Sequence, residues 1–98
     1  MRFRDAAQAV AIIALVVERV FDSYGYAAVI TSAGDGQHKK DSLHYRGLAL
    51  DFRMKHVASP EHKAAIVALI RELLPQCDVL HESVGTPIEH LHVEWDAK

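Results

Sequence analysis

Three side chains in this sequence have the types and spacing to hold a metal: His44 and Asp51, seven positions apart, and His92 near the far end of the chain. A catalytic zinc ion takes three protein ligands of the N or O type and leaves one position open for water or substrate. Cys77 is the only cysteine, so neither a thiolate cage nor an internal disulfide is available. Any metal must be held by imidazole and carboxylate. Seven histidines in 98 residues do not by themselves select the ligands: His38 reads as a loop residue, and His56, His62 and His81 read as structural.

The elements that must position these groups are legible from hydrophobic period. Val10, Ile13, Val17, Val20, Phe21 and Tyr24 recur at helical spacing, with Ile12, Leu15 and Val16 widening the stripe, which predicts a helix over about residues 5–23 ended by Gly25. Residues 26–32 are rich in β-formers and predict a strand. Residues 34–47 are polar and read as a long loop of the functional kind. Leu48, Leu50, Phe52 and Met54 alternate with Ala49, Asp51 and Arg53, placing a second strand with Asp51 on its polar face. Ser59, Pro60 and Glu61 form a helix start, Ile66, Leu69, Ile70 and Leu73 its buried stripe, and Pro75 lies beyond its end. A third strand is expected over residues 77–82 and a fourth over 89–95, where Leu91, Val93 and Trp95 share one face and His90, His92 and Glu94 the other. The order helix, two strands, helix, two strands predicts a single α+β domain over residues 1–98, with a small, mostly antiparallel sheet carrying its helices on the apolar face.

A net charge of −2 and a pI near 6.4 lack the basic footprint that nucleic-acid binding requires. The apolar run that follows Met1-Arg2-Phe3-Arg4 is broken by Asp5 and Gln8 and ends at Glu18-Arg19 without a small-x-small cleavage site. It is too short to span a bilayer and does not read as a secretory signal. The expectation is cytoplasmic synthesis, with a phage-encoded product released to the cell wall as one route to the substrate.

Ser42-Leu43-His44-Tyr45-Arg46-Gly47-Leu48-Ala49-Leu50-Asp51 resembles the S-x-H-x-x-G-x-A-x-D signature of the zinc peptidase family that contains D-alanyl-D-alanine carboxypeptidases, D-alanyl-D-alanine dipeptidases and phage L-alanyl-D-glutamate endopeptidases, with the Hedgehog signalling domain as a relative. His90-Leu91-His92 is similar to the family's H-x-H. The resemblance implies Zn2+ held by His44, Asp51 and His92, a small Hedgehog-like α+β fold, and hydrolysis of peptidoglycan stem peptides at a D-Ala-D-Ala or L-Ala-D-Glu bond. It also implies a general base three residues before the last ligand, here Glu89, with His90 assisting. In a regular strand, however, Glu89 and His92 point to opposite faces, and Glu82 is a further candidate. Many relatives carry an Arg before the signature; Thr31-Ser32-Ala33-Gly34 has none, and His38, Lys39 or Arg46 are the available substitutes. Ser42 reads either as a turn residue or as one that orients the loop. The alternative expectation keeps the zinc and drops catalysis, leaving a metal-stabilised binding module of the same fold.

Overall fold

The structure, a computed structural model, describes residues 3–34 and 46–97. Helix α1 (Ala6–Ser23) starts where Asp5, in extended backbone, accepts a 2.9 Å hydrogen bond from the Gln8 N–H, which satisfies one of the unpaired donors of the first turn. Strands β1 (Ile30–Gly34) and β2 (Arg46–Arg53) follow. Helix α2 (Pro60–Leu73) is capped by Ser59, whose hydroxyl accepts from the His62 N–H at 3.2 Å, with Pro60 at its first turn. Strands β3 (Cys77–Glu82) and β4 (His90–Ala97) complete the chain.

The four strands form one antiparallel sheet in the order β1-β2-β4-β3. The final strand therefore lies in the middle, between β2 and β3, and the two strand segments that bear the candidate ligands become neighbours. Leu50 and Phe52 of β2, Leu91, Val93 and Trp95 of β4, and Val79 of β3 are buried on one face. Against that face pack Ile13, Val17 and Phe21 of α1 and Ile66 and Ile70 of α2. Phe3 closes the end of this layer edge-on to Trp95, ring centroids 5.4 Å apart. The α+β class, the small antiparallel sheet and the apolar face covered by helices agree with the sequence expectation. Among the described residues no helix is long and apolar enough to cross a membrane.

Three local expectations differ. The first strand begins at Ile30 and not at Tyr26, because residues 26 and 27 are committed elsewhere. The Tyr26 hydroxyl meets His62 Nδ1 at 2.8 Å, and the Ala27 carbonyl accepts from His56 Nε2 at 2.6 Å. On α1, Ala9 is buried while Leu15 is half exposed; Leu15 lies two positions, about 200° of helical rotation, past the inward-facing Ile13. On α2, Leu73 is exposed and the cap residue Leu74 takes the buried place. Phe21→Ala is expected to cost about 3–5 kcal/mol and Leu15→Ala no more than about 0.5 kcal/mol, both read from equilibrium urea unfolding.

Candidate functional site

Away from the helices, the sheet presents a polar face. The β2–β4 register sets Asp51 directly opposite His92 and Ala49 opposite Glu94, and the β3–β4 register sets Glu82 opposite His90 and Asp78 opposite Glu94. Asp51, Asp78, Glu82, His90, His92 and Glu94 line a shallow cavity of about 420 Å³. At its centre, His92 Nδ1 lies 2.7 Å from Asp51 Oδ1 and Nε2 lies 2.9 Å from Glu94 Oε1. His92 and Glu94 are both buried, whereas Asp51 is partly open to solvent. Burial opposes a charge on this imidazole, but hydrogen bonds to Glu94 and Asp51 more than offset it and raise its pKa. His90, on the same face, is held at both ring nitrogens, by the Ile88 carbonyl at 2.9 Å and Glu82 Oε1 at 3.0 Å. The bond to the Ile88 carbonyl contributes most to raising its pKa; burial works against the charge, and Glu82 and Asp51 add to the rise.

Two of the three expected ligands, 41 positions apart, are thus brought together, and the third, His44, lies outside the described residues. No group of three His, Cys, Asp or Glu side chains suited to a metal ion occurs among the described residues. The donor chemistry of the pair suits a borderline divalent ion. Ligand atoms at about 2.0–2.1 Å from a tetrahedral ion stand about 3.3 Å apart, so the Asp51 and His92 donors would have to part by roughly half an ångström to share one. Glu94 fits the same picture, because a ligating histidine usually gives its second ring nitrogen to a carboxylate that fixes tautomer and ring orientation. His38, Lys39 and Ser42 also lie outside the described residues, as does the Arg46 side chain.

Glu89, the expected general base, has partners of its own. It is buried immediately before β4, on the helix side of the sheet, where both carboxylate oxygens sit 2.9 Å from Lys63 Nζ of α2 and one bonds His81 of β3. Burial pushes its pKa up, but Lys63, His81 and a backbone hydrogen bond from Gly85 outweigh this, leaving the carboxyl below its ordinary value. The strand alternation that puts His90 and His92 on the open face sends Glu89 to the other. The Glu89 carboxylate is engaged by Lys63 and His81, and the residue also lines a cleft together with Asp51 and His90. His56 and His62 are held by the Ala27 carbonyl and the Tyr26 hydroxyl, and Trp95 is in the core. Burial, together with Asp78, pushes the Cys77 thiol up to about 12, which makes it a poor nucleophile.

Sequence reasoning missed Lys63, whose role depends on α2 crossing over β3 and β4, a tertiary fact with no local signal. It also missed Arg53 and Lys55, which line a cleft beside Asp51; for Arg53 the signal was available, since it lies two positions from Asp51 on the same strand face. Comparison of the chain with protein-family models, with curated proteins and with solved structures gives no match. The resemblance to zinc peptidases therefore rests on residues 42–51 and 90–92 alone.

Glu89→Gln is expected to destabilise the protein by about 1–3 kcal/mol at pH 7, toward the lower end because Lys63 keeps some contact with water. A lowered carboxyl pKa contributes its full stability above the ordinary value of 4.5 and loses it as pH falls through the folded-state value. Urea unfolding should therefore show the gap between wild type and Glu89→Gln closing below about pH 4.5.

Proposed function

We propose that this chain is a zinc-dependent peptidase that cleaves a peptide bond in bacterial peptidoglycan stem peptides, of the D-Ala-D-Ala carboxypeptidase or L-Ala-D-Glu endopeptidase type. The observation that carries this reading is the Asp51–His92–Glu94 arrangement: one residue from each of the two motifs, 41 positions apart, meet at 2.7 Å with a buried carboxylate on the second ring nitrogen. Asp51 and His92, with His44, would hold the metal. When bound, such an ion supplies Lewis-acid polarisation of the scissile carbonyl and a water of lowered pKa.

The chain's own groups do the rest. Glu94 fixes the His92 ring so that Nδ1 faces Asp51. Small Ala49 stands opposite Glu94 on the same face. His90, on the same face and paired with Glu82, is the group best placed to pass a proton to the leaving amine. We assign that role to His90 with Glu82, and to Glu89 the bracing of β3 and β4 on α2. The engagement of Glu89 by Lys63 and His81 is also the observation that favours a second reading, a metal-stabilised binding module without hydrolysis.

Zinc affinity measured against a competing chelator should show one site in the wild type, a loss of at least 100-fold in His92→Ala and Asp51→Asn, and a loss of about 10–100-fold in Glu94→Ala. Mass spectrometry of peptidoglycan and of D-Ala-D-Ala-ended peptides then separates the readings. Cleavage by the zinc-loaded protein, lost in His92→Ala, establishes the peptidase; one bound zinc without cleavage leaves the binding module; absence of zinc binding sinks both.

A further inference from the structure

Helix α1 is apolar on both its sides. Between Ala6 and Val17 the only polar side chain is Gln8, yet of that stretch only Ala9, Ile13 and Val17 are buried. A helix that is apolar all round is normally covered all round. Here Val10 is 39 % and Leu15 51 % exposed, and Ala7 and Ala11 are exposed as well. At about 100° of rotation per residue, Ala7, Ala11 and Leu15 fall in one stripe on the side opposite the buried one, with Val10 at its margin. The outer face of α2 differs, carrying Glu61, Arg71 and Glu72. Charges bound the α1 stripe at its two ends, Arg4 before it and Glu18 and Asp22 after it. All three are exposed, and none forms an ion pair among the described residues.

We propose that this face docks a second copy of the chain, with the two α1 helices antiparallel about a two-fold axis over Ala11. Such an axis lays Ala7 of each copy beside Leu15 of the other and brings Arg4 of each copy to Glu18 of the other, with Asp22 one turn further on. Opposite charges then meet at both ends, as an interface made of one patch used twice requires. A parallel pairing would set Arg4 against Arg4 and Glu18 against Glu18. Alanine at the crossing lets the helix axes approach to the short end of the usual range, about 8 Å. The acids on the face also oppose docking on an anionic membrane surface. In the resulting order of layers, sheet, helices, helices, sheet, both polar faces point outward. The Asp51–His92 centres stay open, and the inference stands apart from the peptidase reading. One pair of helices, each about 27 Å long, buries less than the roughly 1,600 Å² of a standard interface, so the dimer is reversible.

Sedimentation velocity of the full chain from about 5 µM to about 500 µM, the range in which an interface of this size associates, should pass from monomer to dimer. Leu15→Glu and Ala11→Arg, both at exposed positions, should weaken association by about 10-fold or more with urea midpoints unchanged. Arg4→Glu and Glu18→Arg should each weaken it about 3–10-fold, and the two together in one chain should restore most of the loss. In a Cys77→Ser chain, Ala11→Cys lies on the axis and should form a disulfide with its own copy under mild oxidation. Ala7→Cys should cross-link to Leu15→Cys and far less to itself. A monomer at every concentration, a dimer insensitive to Leu15→Glu and Ala11→Arg, or charge variants that the double exchange does not rescue would overturn the proposal. So would a protein that stays monomeric and binds vesicles of phosphatidylcholine and phosphatidylglycerol through Leu15.

Discussion

The pairing of β4 with β2 is the constraint on which everything else depends. Side chains alternate along a strand, so a slip of one residue would carry Leu91, Val93 and Trp95 to water and His90, His92 and Glu94 into the core. Burial of the apolar set against α1 and α2 excludes that slip, and by doing so determines which residue of β2 faces His92. The polar site is thus positioned by hydrophobic packing on the opposite side of the same sheet. Both β2 and β4 are interior strands with a neighbour on each side, so the polar side chains they carry stand on firmly held backbone.

The sheet also separates two kinds of charge. On the helix side, Glu89 is surrounded by packed side chains and finds Lys63 and His81, as a buried carboxylate must if it is to stay ionised. On the open side, Asp51 and Glu94 converge on one imidazole. The first arrangement joins α2 to β3 and β4; the second joins β2 to β4 across the face where a ligand has access. Positions 89, 90 and 92 thus serve different ends because the chain between them is extended, with 89 on one face and 90 and 92 on the other.

Much of this architecture was legible in the sequence because its period is strong. The alternation at 48–54 and 90–95, the Ser59-Pro60 helix start and the limits of β3 all follow from local pattern, and the opposite faces of Glu89 and His92 follow from strand geometry. What was not legible depends on contacts distant in sequence. Residues 26–29 have strand composition, yet the Tyr26 hydroxyl and Ala27 carbonyl bond histidines near α2, and those bonds delay β1. Leu15 points away from the buried face of α1 and Leu73 is the last residue of α2, so what each helix packs on decides their exposure. The partnership of Lys63 with Glu89 needs the position of α2 over the sheet. Arg53 was read for its place in an alternation and not for its charge.

The position of β3 at one edge of the sheet has a consequence for crowding. An edge strand offers unpaired backbone groups to any strand that approaches. Leu80, at the middle of β3, is 45 % exposed, and a second copy docking there about a two-fold axis would pair residue 78 of each chain with residue 82 of the other. That pairing sets Asp78 against Glu82 twice over, with like charges directly opposite. The carboxylates that make this face acidic therefore also discourage the sheet from continuing into a neighbouring molecule.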